Sequence, residues 1–198
     1  MSQCYSSFRQ VPNGGTGEHH PAAAAIVFSM TQTLPKRTFG SVAVAMVTPF
    51  AEDGSLDVDS AAALAAKLVD DGCDCVLLSG TTGESPTTHQ PEKDALVREV
   101  GQAVGDRAMI LAGAGSNDTA HAVRIAKGAQ ASGADALLVV PPYYNRPSQE
   151  GVVQHVLAVT EASDLPVMLY DIPGRTGVRL ELDTLKRLAE HPRILGVK

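Results

Sequence analysis

The chain of 198 residues has no cluster of lysine or arginine, no long apolar segment and only three cysteines. Its net charge is −6, and an acidic chain without a basic patch argues against nucleic acid as a partner. No apolar segment approaches the roughly 18 residues of a transmembrane helix, so we expect no membrane partner. Cys4, Cys73 and Cys75 form no disulfide framework, which predicts a reducing, cytoplasmic location.

Two further absences narrow the possible chemistry. Cys73 and Cys75 could supply two metal ligands, but they open an apolar segment and no matching Cys or His pair follows, so we expect no metal site. The first apolar segment is not followed by glycines. Gly113 and Gly115 follow the third, but Asp118 occupies the place of the last glycine in G-x-G-x-x-G. The missing fingerprint argues against a dinucleotide cofactor.

Residues 1–37 differ in composition from the rest of the chain. They are rich in Gly, Ser, Thr, Gln and Pro and show no hydrophobic period, so we predict a flexible N-terminal extension. The apolar segment of residues 22–28 is short and follows no basic region, which is a poor match to a signal peptide. Residues 38–198 are long enough for one domain with a core.

From Phe39 onward, apolar and amphipathic segments alternate with a period of about 30 residues, the length of a βαβ unit. Gly72 and Gly133 stand where helices turn back into strands. Continuous Val, Leu, Ile and Ala segments indicate a parallel sheet covered by helices. An open doubly wound sheet and a (β/α)8 barrel both fit. The predicted strands are 41–50, 75–80, 108–114, 136–140, 166–172 and 194–198, and the helices 56–71, 91–104, 119–132, 149–162 and 182–190.

Three loops that follow strands carry candidate binding groups. Residues 80–85 (Gly-Thr-Thr-Gly-Glu-Ser) could turn backbone N–H groups and hydroxyls toward a small carboxylate, or form a simple turn. Residues 141–147 present Tyr143 and Tyr144 between prolines, either as a proton relay or interface anchors, or as rings that cover the sheet end. Arg175 could bind a carboxylate through two parallel hydrogen bonds, or be solvated.

Lys198 ends the sixth predicted strand, and Tyr170 lies near the end of the fifth. By strand alternation, Ile194, Gly196 and Lys198 share one face, and Tyr170 shares a face with Met168. If both faces point inward, the phenol and the amine lie about 5 Å apart on neighbouring strands. A desolvated lysine favours the neutral amine and is a candidate Schiff-base nucleophile; the alternative is a surface lysine.

Four motifs, in this order, resemble the dihydrodipicolinate synthases of the pyruvate-dependent class I aldolase superfamily. They are Gly-Thr-Thr-Gly-Glu-Ser at 80–85, Pro-Tyr-Tyr-Asn-Arg-Pro-Ser-Gln-Glu-Gly at 142–151, Tyr-Asp-Ile-Pro-Gly-Arg-Thr-Gly at 170–177 and Gly-Val-Lys at 196–198. The resemblance covers residues 39–198 and implies an α/β fold, a TIM (β/α)8 barrel. Because such a barrel requires about 250 residues, we expect this one to be truncated after its sixth strand.

The resemblance also implies roles for individual residues. Lys198 is similar to the lysine that forms a Schiff base with pyruvate, and Tyr170 to the tyrosine that shuttles protons. Thr81 and Tyr144 resemble its relay partners, with Tyr144 reaching in from a neighbouring subunit of a dimer or tetramer. Thr82 resembles the residue that binds the pyruvate carboxylate.

The implied activity is that of a lyase. Pyruvate condenses with L-aspartate 4-semialdehyde to give 4-hydroxytetrahydrodipicolinate for diaminopimelate and lysine synthesis, without a metal or organic cofactor. Arg175 resembles the residue that receives the carboxylate of the aldehyde. Pro141 departs from the family pattern, which usually has Thr there.

Two alternative functions are open. Another Schiff-base aldolase, of the N-acetylneuraminate lyase or 2-keto-3-deoxygluconate aldolase type, would use the same lysine with a different aldehyde; the 80–85 motif and Arg175 favour the synthase. A non-catalytic remnant would at most associate with intact subunits. We expect the 198-residue chain, with six predicted strands, not to be an active, well-folded monomer.

Overall fold

The computed structural model of the protein describes residues 39–198, and the extension predicted for residues 1–37 lies outside the described residues. Strands and helices alternate throughout the described part of the chain. The strands are β1 (Ala43–Ala45), β2 (Cys75–Leu78), β3 (Met109–Gly113), β4 (Ala136–Val139), β5 (Val167–Leu169) and β6 (Ile194–Val197). The helices are α1 (Val58–Asp70), α2 (Gln90–Val104), α3 (Thr119–Ala131), α4 (Gln149–Glu161), α5 (Pro173–Thr176) and α6 (Leu182–Ala189).

The strands of residues 39–198 form one parallel sheet in the order β1-β2-β3-β4-β5-β6. Each strand pairs in parallel with the next along the chain, and each connecting helix returns the chain to the end of the sheet at which the strands begin. The sheet is a half-barrel, which confirms the predicted α/β architecture. All strand C-termini therefore meet at one end, where a barrel carries its active site.

The two faces of the sheet have different cores. Alternate strand residues such as Val76, Ile110 and Leu137 pack against the helices in a large buried cluster. The other alternate residues, including Leu77 and Leu111, form a smaller cluster on the inner face, with Met168 and Tyr170 packed against it. Because both faces are apolar, the strands read as continuous hydrophobic segments, as predicted.

Gly72 and Gly133 end α1 and α3 in the same way. Their φ angles of 104° and 95° lie in the left-handed region, which glycine adopts without strain. In each case the glycine N–H donates to a carbonyl in the last helical turn. The N–H of the following residue donates to the carbonyl one position earlier in the same helix. This Schellman arrangement satisfies the free carbonyls and confirms the predicted C-caps.

Two details of the outer strands differ from the predictions. The first strand was expected over residues 41–50, but β1 covers only Ala43–Ala45, because the following segment turns across the sheet end and Phe50 pairs with Leu56. A bulge next to Met168 inserts Leu195 into the pairing of β5 and β6. Ile194 therefore packs in the helix-facing cluster, so the prediction that it shares the face of Gly196 is wrong.

Among residues 39–198, no helix has the length and apolar character that crossing a bilayer requires.

Candidate active site

A cavity of about 260 Å³ opens at the C-terminal end of the sheet. Its wall is contributed by the ends of the central strands and by the loops that follow them. Three of the residues predicted from sequence line it together: Thr81, Tyr170 and Arg175. Tyr143 lines it as well, from the loop after β4. The cavity therefore brings together three of the six predicted site residues, whereas Lys198, Thr82 and Tyr144 are not part of its lining.

Tyr170 and Lys198 come together beside this cavity. Tyr170 follows β5, and its backbone N–H donates to Val139 O at 2.8 Å. The backbone N–H of Lys198 donates to Leu169 O at 2.8 Å, so the two residues lie on adjacent, paired chain segments. The Nζ atom of Lys198 lies 4.6 Å from the centroid of the Tyr170 ring, which is close to the separation expected from strand spacing. The Lys198 side chain is exposed in the described structure, whereas Tyr170 is half-buried.

The 80–85 loop is closed by its own backbone. Ser85 N–H donates to Gly80 O, and Glu84 N–H donates to Thr81 O, both at 3.2 Å. Glu84 has φ 54°, which lets the chain turn back after two exposed threonines. Thr81 lines the cavity, whereas Thr82 does not, so within the described residues the structure does not bring Thr82 to the cavity wall.

Arg175 lies on α5, a single helical turn that sequence reasoning missed. The segment is fixed from within, because Thr176 Oγ1 bonds Val178 O at 2.7 Å and Asp171 Oδ1 accepts from Leu180 N–H at 3.0 Å. Among the described residues, the Arg175 guanidinium has neither an ion-pair nor a hydrogen-bond partner. An exposed, unpaired cation at the rim of the cavity can bind a carboxylate.

Tyr144 lies apart from the other predicted site residues. It is 89% exposed, does not line the cavity and has φ 74°. Left-handed backbone is unfavourable for a tyrosine, and the neighbouring Arg146 shares it with φ 49°. The side-chain amide of Asn145 anchors the loop by donating to Asn117 O at 3.1 Å. The loop therefore presents Tyr144 outward.

Lys93, which sequence reasoning missed, supports the far end of the 80–85 loop. It is buried, and its ammonium group donates to Ser85 O at 2.7 Å, to Thr88 O at 2.9 Å and to Thr88 Oγ1. Burial lowers the pKa of Lys93 to about 8, and the nearby Glu92 carboxylate opposes this shift. The sequence held a signal, because Lys93 lies on the same α2 face as Leu96 and Val100, which are fully buried.

Thr48 is the second anchor that the sequence did not reveal. Its buried hydroxyl donates to Gly83 O at 2.6 Å and so ties the segment after β1 to the 80–85 loop. A threonine before a proline carries no distinctive pattern, so no sequence signal pointed to this role.

Comparison with known proteins agrees with this geometry. The model of the dihydrodipicolinate synthetase family matches residues 38–198. The chain belongs to that family. The 4-hydroxy-tetrahydrodipicolinate synthase of Mycolicibacterium paratuberculosis is 60% identical over 159 residues, which are 80% of this chain and 53% of that protein. The chain thus spans about half the length of the curated synthases it matches, and the resemblance inferred from the four motifs is confirmed.

Solved structures of the dihydrodipicolinate synthetase family share the fold. The dihydrodipicolinate synthase DapA-2 of Bacillus anthracis superposes with a TM-score of 0.78 at 46% identity, covering 81% of this chain and 55% of that one. The chloride-inhibited dihydrodipicolinate synthase of Acinetobacter baumannii, solved in complex with pyruvate, has a TM-score of 0.77 at 43% identity, covering 81% and 55%. These proteins are TIM barrels, which confirms the predicted fold class.

Proposed function

We propose that the protein forms a Schiff base between Lys198 and pyruvate and condenses it with L-aspartate 4-semialdehyde, giving 4-hydroxytetrahydrodipicolinate. The observation that carries the proposal is the contact between Lys198 Nζ and the Tyr170 ring at the mouth of a cavity lined by Thr81 and Arg175. The pyruvate complex of the Acinetobacter baumannii relative supports the same first substrate.

The chemistry starts at the amine. The Lys198 lone pair adds to the keto carbon of pyruvate, and the carbonyl oxygen takes up protons and leaves as water, which produces an iminium ion. Tyr170 and Thr81 supply and remove these protons, since their hydroxyls can transfer a proton without placing a fixed negative charge beside the iminium. The aromatic face of Tyr170 also attracts the positive charge that develops on the nitrogen.

Carbon–carbon bond formation follows from the iminium. Loss of a methyl proton gives an enamine, whose carbon attacks the aldehyde carbon of the second substrate. The amino group of that substrate then adds to the former keto carbon, and the Lys198 amine leaves as the ring closes. Arg175 binds the carboxylate of the aldehyde at the rim, where its guanidinium has no partner among residues 39–198.

Borohydride trapping tests the nucleophile. In a chain extended to the length of its relatives, reduction in the presence of pyruvate should add one pyruvyl unit to the peptide that contains Lys198, as located by mass mapping. Lys198→Arg retains the charge without a nucleophilic amine and should abolish labelling. Labelling that persists in this variant would refute the assignment.

Arg175 provides a second, separable test. Arg175→Ala should raise the KM for the aldehyde by roughly 10- to 150-fold, the effect of losing a charged hydrogen-bonding partner worth about 1.5–3 kcal/mol. Pyruvate trapping should be unchanged, because Arg175 acts on the second substrate. An equal loss of trapping would show that Arg175 binds pyruvate instead, and turnover of N-acetylneuraminate or 2-keto-3-deoxygluconate would reassign the aldehyde.

The proposed assembly is a homodimer or tetramer in which Tyr144 completes the relay of a neighbouring subunit. Its 89% exposure and left-handed backbone support this role, since an outward-facing tyrosine held against its preference suits contact with a second copy. Mixing Tyr144→Phe subunits with Lys198→Ala subunits tests it. Mixed oligomers should recover activity at the sites that combine an intact lysine with a partner's tyrosine, and no recovery would place Tyr144 outside the relay.

The proposed location is the reducing interior of the cell. Cys73 is buried as a free thiol in the helix-facing cluster and Cys75 in the cluster on the inner face, which is compatible with a compartment that keeps thiols reduced.

A further inference from the structure

A second, smaller cavity lies behind the candidate active site. It has a volume of about 10 Å³ and is lined by residues at the ends of β2 and β3 and by residues of α2 and α3. Ser79 lines both this cavity and the larger one, so the two share a wall. Ser79 Oγ and Gln90 Oε1 are buried and have no hydrogen-bond partner within residues 39–198, and both residues line the smaller cavity.

The Ser79 hydroxyl is constrained to stay inside. The residue is only 4% exposed, and its φ of 51° lies in the left-handed region, where a serine is strained. Its carbonyl group is fixed as well, because Gly113 approaches it closely from β3. Ser79 directly precedes the 80–85 loop, so its conformation determines the direction in which Gly80 and Thr81 leave β2.

The Gln90 amide is fixed in one orientation. Its Nε2 atom donates to Asp94 Oδ1 at 2.7 Å, so the oxygen of the amide points away from that carboxylate. Helix α3 covers the amide closely, since a Cβ added at Gly128 would lie 2.2 Å from Gln90 Nε2. Gln90 Oε1 therefore remains a buried acceptor, and a buried acceptor without a donor is unfavourable.

We propose that one buried water molecule bridges Ser79 Oγ and Gln90 Oε1, and that Ser79 and Gln90 act as positioning residues for the 80–85 loop. A cavity holds a water when it offers about 10–15 Å³ and at least two polar partners, and this cavity meets both conditions. The water donates one hydrogen bond to Gln90 Oε1 and forms a second hydrogen bond with the Ser79 hydroxyl. The bridge ties the start of the loop to α2, as Lys93 ties its end.

The position of the water does not depend on the proposed function. Only the effect of the water on the catalytic role of Thr81 rests on that function. A crystal structure at a resolution that reveals ordered waters should show a peak within hydrogen-bond distance of both Ser79 Oγ and Gln90 Oε1. In Ser79→Gly and Ser79→Ala the peak should disappear. Glycine accepts the left-handed φ, so Ser79→Gly removes the hydroxyl without adding backbone strain.

Hydrogen exchange measures the effect on the loop. Exchange at the amides of Glu84 and Ser85, which close the loop, should become about 2- to 10-fold faster in Ser79→Gly, the range expected for losing one neutral hydrogen bond. Gln90→Leu should give the same acceleration. The double variant should add little, because both changes remove the same water. Gln102→Leu, at an exposed position of the same helix, is the matched control and should leave exchange unchanged.

Pyruvate trapping separates the two proposals. Ser79→Gly should slow trapping while leaving Lys198 as the labelled residue, whereas failure of trapping in the unmodified protein would count against the proposed function alone. Absence of the water peak, or additive effects of the Ser79 and Gln90 variants on exchange, would overturn the bridge.

Discussion

Gly113→Ala tests how rigidly β3 packs against Ser79, the residue that precedes the 80–85 loop. Gly113 is buried at the end of β3 and lines the candidate active site. A Cβ added there would lie 2.1 Å from Ser79 O and 2.8 Å from Ser79 C. Non-bonded heavy atoms are most favourable at about 3.5–4.0 Å, so one backbone must move by more than about 1 Å.

The expected loss has a structural and a functional part. Overpacking of this kind typically costs about 1–3 kcal/mol in the free energy of unfolding. The displaced carbonyl belongs to the residue that precedes Gly80 and Thr81, so the movement passes into the loop. A misplacement of 1 Å can reduce a catalysed rate by about 100-fold, and pyruvate trapping should fall by a factor of that order.

Urea unfolding followed by circular dichroism measures the first part, with Gly101→Ala as the control. Gly101 lies inside α2, and among the described residues an added Cβ would meet only Ile110 Cγ1, at 4.0 Å. Replacing a helical glycine by alanine should raise the free energy of unfolding by about 0.5–1 kcal/mol. The same substitution therefore has opposite signs at the two sites. A Gly113→Ala protein as stable as the wild type would refute the claim that the Ser79 carbonyl is fixed.

Two further predictions concern pH. Folding lowers the pKa of Lys93 from 10.5 to about 8, so the unfolded chain binds more protons than the folded protein between these pH values. The stability of the wild type relative to Lys93→Met should therefore rise from pH 8 to 10.5. Urea midpoints of the two proteins that run parallel across this range would contradict the prediction. Hydrogen bonds from the backbone N–H groups of Val42 and of the residue before it lower the pKa of Asp74 in the folded protein below its ordinary value of 3.8. The stability that this carboxylate contributes is therefore complete above pH 3.8 and is lost as the pH falls through the lowered pKa. The difference between wild type and Asp74→Ala in thermal unfolding should therefore shrink on acidification, and a difference that is constant with pH would assign the effect to packing.

The parallel sheet was predictable because both of its faces are buried, so each central strand is a continuous apolar segment between amphipathic helices. The outer strands were harder. The prediction extended β1 to Phe50, but β1 ends at Ala45 and the segment after it contacts the 80–85 loop through Thr48. Local sequence pattern cannot distinguish such a contact from strand pairing. The bulge at Leu195 was also hidden, because the alternation of Ile194 and Gly196 reads as regular strand.

Part of the candidate site followed from strand geometry alone. The proximity of Lys198 to Tyr170 required only that two neighbouring parallel strands end at the same edge, and Thr81 and Arg175 joined them because loops that follow such strands meet there. Ser79 was missed because no local sequence pattern marks a serine with a left-handed φ or a buried serine hydroxyl without a partner among the described residues. Tyr144 requires a second copy of the chain for its proposed role, so the geometry of a single chain leaves it outside the cavity.

Lys93 connects helix α2 to the loop that lines the candidate active site. A lysine on the apolar face of α2 must find oxygen atoms in place of water, because an unpaired buried ammonium is costly. The oxygens that it finds belong to Ser85, which closes the 80–85 loop, and to Thr88, whereas Thr81 in the same loop lines the cavity. The packing of α2 and the conformation of the 80–85 loop are therefore coupled through one side chain. A substitution that shifts α2 against the sheet should move Thr81 even though no residue of the helix core contacts the substrate.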